Sequence, residues 1–268
     1  MYIPSKLRNK IVIWIVFLVF ILVWLYPIVK AVIRSLAMSG FNNYVTVWTF
    51  PKVNVPMSIV NSFIIALSVA VTSTIIVSLA GYAFSKMRFW GRNFIYYAFL
   101  LCLTIPTAAI ITPLFNVSKT LGLINTNQAV ILPLLFLQTP FALLIYKNFV
   151  DSVPDALLEA PKIDGANSFK VFLYIIVPLT RIGVINIAIL AFIASWNEFM
   201  IPLVLISKVK NYTVTLATNY FSGGVHQTPE MVAQLYAALV IMCIPTMFIY
   251  IFCQKYMQEG LTTGAIKG

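Results

Sequence analysis

Charged residues are scarce in this sequence: only 9% of its 268 residues are Asp, Glu, Lys or Arg, against about a quarter in an ordinary soluble domain. With 61% of the chain in the hydrophobic set, there is too little polar surface to coat a globule, which excludes a soluble monomer. Disorder is excluded as well, because disordered chains are poor in apolar and aromatic residues. Cysteine is limited to Cys102, Cys243 and Cys253, an odd number without metal-ligand spacing, so these read as small side chains in or near apolar runs. The single histidine, His226, lies in a polar stretch. Paired carboxylates, a Cys/His pair and a G-x-x-x-x-G-K-[ST] phosphate loop are all missing from the sequence, so it carries neither catalysis nor ATP hydrolysis of its own.

Acidic residues are scarcer still. Of seven, Asp151, Asp155, Glu159 and Asp164 share one short segment, and Glu198, Glu230 and Glu259 lie outside the apolar runs. Carriers driven by protons or sodium hold ionisable groups within the membrane, so that mechanism lacks its parts. A transporter built on this chain is either a passive channel or draws energy from a partner.

What the sequence has is apolar length. A transmembrane helix takes about 20 residues, and apolar runs fall at about 11–29, 59–85, 94–115, 128–146, 175–195 and 235–252. This predicts an all-α, polytopic membrane protein of six spans forming one domain over 1–268. The basic residues set its orientation. Lys6, Arg8, Lys10, Lys86, Arg88, Arg92, Lys147, Lys162, Lys170, Lys255 and Lys267 fall on one side, eleven in all, against six on the other, Lys30, Arg34, Lys52, Lys119, Lys208 and Lys210. The richer side is the cytoplasm, which places both termini and a loop at 147–171 there. The net charge of +11 is thereby a topology signal and not a nucleic-acid footprint.

Ala66, Ala70, Thr74 and Ser78 make a small-residue stripe on the second span, of the kind that brings membrane helices close or that arises by chance in a Ser/Thr/Ala-rich stretch. Pro27, Pro106, Pro113, Pro133, Pro140, Pro178, Pro202 and Pro245 are expected to kink the helices. In the loop, Ser152 and Asp155 suggest a capping box, with Pro154 in the first turn of a short helix. Pro161 is expected to end that helix and start a second. Gly165 supplies a positive φ, and Asn167 or Ser168 caps the entry to the fifth span.

Glu159-Ala160-Pro161, Asp164-Gly165-Ala166 and Ile175-Ile176-Val177-Pro178 together resemble the EAA motif of ATP-binding-cassette importer permeases. Two positions depart from the usual pattern: Pro161 stands for Ala and Val177 for Leu. The Trp196-Asn197-Glu198-Phe199 segment, the Asn61-Ser62 pair and the ending Gly260-Leu261-Thr262-Thr263-Gly264-Ala265-Ile266-Lys267-Gly268 resemble the carbohydrate-uptake branch, which includes the maltose-type importers. Within it they match the shorter of two paired permeases.

The resemblance implies a type I importer permease fold in the plasma membrane of a bacterium or archaeon. It implies a second permease, two ATPase subunits that bind the ATP and magnesium, and an extracytoplasmic solute-binding protein, with no cofactor in this chain. Glu159, Ala160, Asp164, Gly165 and Ala166 would contact the ATPase, and Gly264, Lys267 and Gly268, in the tail at 254–268, would reach the interface between ATPase subunits. The substrate implied is a sugar or oligosaccharide, with another small polar solute such as a glycerol phosphate as the alternative. Gln138, Asn186 and Asn197 are pathway-lining candidates, although Gln138 and Asn186 read more readily as interhelical hydrogen bonds. Tyr44, Trp48, Tyr212, Tyr220 and His226 either receive the binding protein or form an interfacial belt.

Overall fold

The computed structural model describes residues 5–163, 165–222 and 228–265, with side chains described between 10 and 257 apart from 160, 162–164 and 223–227. Among these residues every regular element is helical. The contacts divide the chain into two units, one of Met1–Pro51 with Thr218–Ile244 and one of Lys52–Ala217 with Pro245–Gly268.

In the first unit, α1 (Ser5–Ser35) is apolar around its circumference and exposes Ile11 through Leu25 without interruption. A helix of that kind is a membrane span. It ends in a turn that α2 (Asn42–Trp48) closes: the Asn43 amide donates to Ser35 O at 3.0 Å and Ala37 O at 2.8 Å, and the Ser35 and Tyr44 hydroxyls lie 2.6 Å apart.

The second unit is built on three helices. The first, α3 (Val55–Lys86), starts where Asn54 Oδ1 accepts from Met57 N at 2.9 Å and Pro56 occupies the first turn. After it come α4 (Arg92–Leu101), α5 (Thr107–Thr120) and α6 (Asn127–Asp151). Next are α7 (Ala156–Ile163), α8 (Ser168–Val171), a π-turn at Phe172–Ile176, α9 (Val177–Leu179) and α10 (Arg181–Trp196). Beyond them lie α11 (Met200–Leu205), α12 (Val214–Thr218) and α13 (Pro229–Ala265), the last running on through most of the segment expected as a tail.

Among the described residues, four helices are long and apolar enough to span a membrane: Lys10–Ser35, Val55–Lys86, Asn127–Asp151 and Pro229–Met257. The third and fifth expected spans are not single helices. Arg92–Thr104 and Thr107–Thr120 meet at 100°, and Ser168–Leu179 and Arg181–Trp196 at 81°, which makes six spans if each bent pair is one. The first break follows from Pro106, which forces Ile105 into extended backbone (φ −83, ψ 113). At the second, Pro178 has no N–H to donate, and Val177 N reaches back to Phe172 O in the π-turn. By contrast Pro27, Pro113, Pro133, Pro140 and Pro245 lie inside continuous helices.

The small-residue face of α3 packs on α6 and α10, with Ala66, Ala70 and Ser78 buried. Contact is closest at two glycines. A Cβ on Gly81 would stand 2.6 Å from Tyr146 Cδ1, and one on Gly183 2.7 Å from Phe149 Cγ. One apolar cluster, including Val77, Leu143, Tyr146 and Ile187, fills the bundle toward α7, and another, including Ile65, Val130, Ile201 and Leu216, fills it toward α11. Because Tyr146 is fully buried and hydrogen-bonded, its ring cannot yield to a methyl group. Gly81→Ala should therefore destabilise the bundle by about 1–3 kcal/mol, read as a lower thermal midpoint in detergent. An unchanged midpoint would show that the helices separate there without cost.

Candidate functional site

Both ion pairs found among the described residues fall at the loop between α6 and α10. At the end of α6, Asp151 accepts from Lys147 Nζ at 2.7 Å and from the Ser85 hydroxyl at 2.6 Å. Ser152 does not form the expected capping box; its hydroxyl donates back to Phe149 O at 2.7 Å, which closes α6. One residue past it, Lys86 takes over. Its ammonium donates to Val153 O at 2.6 Å and to Asp155 Oδ1 at 2.7 Å, from a side chain only 9% exposed. A cation at the end of α3 also suits the negative end of the helix dipole. Pro154 precedes α7, and its carbonyl accepts from Leu157 N at 3.2 Å.

Once started, α7 has two unlike sides. Leu158 is 3% exposed and packs in the cluster with Tyr82, Val150, Val171 and Phe172, whereas Leu157 and Glu159 are exposed. The expected break at Pro161 does not occur, since α7 continues through it to Ile163. Pro161 is the sixth of the eight residues of α7, so its missing N–H costs a single bond of a short ladder. The stop comes later: Ala166 N donates to Pro161 O at 2.9 Å across Gly165, whose φ is +81. That six-residue closure with a left-handed glycine is a Schellman ending, which accounts for a Gly-Ala pair at this place. Asn167 then caps α8 as expected, its Oδ1 accepting from Lys170 N at 2.8 Å. Asp164, the side chain of Ala160, and Lys267, Gly268 and His226 lie outside the described residues, and Gly264 falls in the last turn of α13.

From the loop the chain runs through α8, the π-turn and α9 to the bend at Thr180. There the Thr180 hydroxyl donates to Ile176 O at 2.7 Å and accepts from the Tyr146 hydroxyl at 2.8 Å. This buried pair fixes the bend to α6. Lys86, Ser85, Tyr146 and Thr180 are site residues that sequence reasoning did not single out. In the sequence Lys86 reads only as an orientation charge, and the four acids crowded beside the end of a span are the signal that it has a partner.

The pathway candidates are not brought together. Gln138 Nε2 donates to Ser195 Oγ at 3.1 Å, joining α6 to α10. Asn186 is buried within α10, and exposed Asn197 closes the same helix by donating to Ile193 O at 2.9 Å. A groove of about 400 Å³ lined by Leu67, Val71, Thr74, Ile189, Phe192 and Ile249 includes none of the three.

At the opposite end the segment after α10 folds as a packed cap. Glu198 Oε1 accepts from Ile201 N at 3.1 Å and Glu198 O from the Thr215 hydroxyl at 2.7 Å, while Trp196 is buried beside Phe192. Asn61 donates to Lys210 O and Tyr212 O at 3.0 and 3.1 Å, and Ser62 Oγ accepts from Val214 N at 2.8 Å. The Asn61-Ser62 pair thus holds this cap on α3. Tyr212 packs partly buried against the apolar cluster there, whereas Trp48 and Tyr220 are exposed.

Residues 73–262 match the family described as binding-protein-dependent transport system inner membrane component. The trehalose/maltose transport system permease protein MalG of Thermococcus litoralis is 36% identical over 230 residues, 86% of this chain and 82% of that protein. The arabinooligosaccharides transport system permease protein AraQ of Halalkalibacterium halodurans is 34% identical over 213 residues, 78% of this chain and 73% of that protein. Among solved structures, a chain of a bacterial alginate ABC transporter in complex with an alginate pentasaccharide-bound periplasmic protein shares the fold, with a TM-score of 0.71 at 15% identity over 93% of this chain and 94% of that one. With the match over 73–262 and a relative 36% identical, the chain belongs to the family of binding-protein-dependent transport system inner-membrane components.

Proposed function

We propose that this chain is one of two permease subunits of an ATP-driven importer. With a second permease it lines the path of a sugar or oligosaccharide handed over by an extracytoplasmic solute-binding protein. Two ATPase subunits hold the ATP and magnesium, and α7 with its flanks docks into one of them on the cytoplasmic side. Glu159, Ala160, Asp164, Gly165 and Ala166 make that contact, and the end of the chain at Gly264, Lys267 and Gly268 reaches the ATPase pair. A passive channel, the other reading of a chain without fuel of its own, does not suit a family that depends on binding proteins.

The observation that carries this reading is the two-sidedness of α7. Its outer side offers Leu157 and Glu159, while Leu158 and the Lys86 ammonium bind its base to the bundle. Closing of the ATPase pair pulls on the outer side, and the pull travels through Lys86 into α3 and through α8 and α9 to the bend at Thr180. The transport systems named for the relatives, trehalose/maltose and arabinooligosaccharides, support a carbohydrate as cargo. Gln138, Asn186 and Asn197 are the polar candidates along its path, Gln138 reaching it by exchanging its bond to Ser195.

The reading is tested by purifying the chain with its companions and measuring ATP hydrolysis with binding protein and a panel of sugars. Stimulation by one loaded binding protein is expected, and hydrolysis indifferent to every sugar would overturn the carbohydrate assignment.

Two substitutions probe the loop. Gly165→Val places a β-branched residue at φ +81, a strain of about 1–2 kcal/mol, so insertion should be normal and solute uptake lost; normal uptake would remove the loop from the mechanism. Lys86→Met strips Val153 O and Asp155 of a charged donor worth about 1.5–3 kcal/mol. Assembly with the ATPase should survive, while transport per ATP hydrolysed falls by about tenfold. A ratio equal to wild type would mean that the clamp transmits nothing.

A further inference from the structure

The turn between α3 and α4 is not used by any of the chemistry above. It carries Arg88 and Arg92, whose side chains line an open cavity of about 450 Å³ together with Phe89, Gly91, Asn93 and Phe94. Neither guanidinium meets a carboxylate among the described residues: Arg92 donates to Met87 O at 3.1 Å and weakly to Asn93 Oδ1 at 3.4 Å, while Arg88 makes no hydrogen bond or ion pair. The turn itself is built and not loose. Gly91 takes a φ of +75, and Phe89 packs on Phe84 at 5.7 Å, which packs on Tyr96 at 5.6 Å. Between the two arginines Trp90 is 97% exposed, and Phe94 is 78% exposed.

Two cations without a carboxylate partner among the described residues and two bare aromatic rings on one short turn do not suit plain water. They suit the membrane interface, where indole rings settle at headgroup level. The turn joins two apolar helices, which puts it at that depth. Guanidinium groups recognise phosphate oxygens in forked geometry, and the match is stronger than a point charge would give. We propose that Arg88 and Arg92 form a binding site for the phosphate of an anionic phospholipid, with Trp90 and Phe94 seated among the adjoining acyl chains. Charge selects the ligand: a zwitterionic headgroup brings its own cation into a cavity that already holds two. The site depends on the chain being a membrane component and not on what it transports.

The test is native mass spectrometry of the delipidated complex, the chain with its companion subunits, titrated with short-chain phosphatidylglycerol or phosphatidylcholine. Wild type should hold phosphatidylglycerol in preference to phosphatidylcholine. Arg88→Gln, which removes a group with no internal partner, should weaken that binding by about tenfold, the worth of one charged hydrogen bond. The pair Arg88→Gln and Arg92→Gln should weaken it further, with Arg-to-Lys replacements at both positions retaining part of it. An unchanged thermal midpoint without lipid separates lost binding from lost folding. Equal retention by Arg88→Gln and wild type would overturn the site, as would equal binding of phosphatidylcholine. Displacement of the lipid by millimolar inorganic phosphate would make it a free-anion site, and so would also overturn it. A Trp90 shielded in the lipid-free complex would instead make the turn a subunit contact, against the proposal.

Discussion

Between Gly81 and Tyr146 the backbones of α3 and α6 come so near that a methyl group has no room. The ring that fills the gap also reaches the bend, its hydroxyl bonded to Thr180 and through it to Ile176 O. A second glycine, Gly183, brings the start of α10 against Phe149 of α6 in the same way. Three helices and one bend are therefore tied within a few residues of one another. The loop hangs from that block: Lys86 is about a turn beyond Gly81, and Asp151 about a turn beyond Tyr146. Close-packed interiors transmit displacement because they have no slack to absorb it, so a pull on α7 cannot stop at α7.

Such a transmission is what the composition demands. No acid lies within the apolar runs, and a transporter whose membrane part holds no titratable relay must take in free energy at its edge. The edge is built for it. Leu157 and Leu158 are successive residues on a helix, about 100° apart around its axis, so one can serve a partner while the other is buried at home. Surface ion pairs contribute little to stability, yet the Lys86 ammonium is nearly enclosed and also satisfies the backbone carbonyl of Val153. Removing it leaves the part-buried Val153 carbonyl without that donor, which costs more than the pair itself contributes.

Much of this was legible in the sequence. Apolar length located every long helix, Gly165 announced its positive φ, and Asn167 its cap, because each rests on local chemistry. The small-residue stripe named the packing face of α3 through Ala66, Ala70 and Ser78, although the closest approach falls one step off it, at Gly81. Two local readings failed, one to a distant partner and one to a stronger stop a few residues on. Ser152 caps backward onto α6 because Asp155 is held by Lys86 across 69 residues. Pro161 sits within α7 because the helix stop is set by the Gly165–Ala166 closure and not by the proline. The packed cap at 197–218 escaped notice altogether. Its short helices have no periodicity to reveal them, and its bonds to Asn61, Ser62 and Asn125 join positions far apart in the chain.

Both helix breaks illustrate one further constraint. A helix interrupted inside hydrocarbon frees backbone groups that lipid cannot satisfy, so a break persists only where the protein supplies partners. At the bend before α10 Thr180 gives both its N–H and its hydroxyl to Ile176 O, at 2.8 and 2.7 Å, so the last carbonyl before the bend is doubly held. At the break before α5 the partner is Thr104, whose hydroxyl takes Leu101 O at 2.8 Å, with Ile105 N donating to Cys102 O at 3.2 Å. In each case a threonine stands within two residues of a proline that prevents the ordinary ladder. The proline creates the discontinuity and the threonine makes it tolerable. A discontinuity whose polar groups stay paired can change angle without exposing them, and at Thr180 that freedom lies directly between the loop that carries α7 and the helix that continues into the bundle.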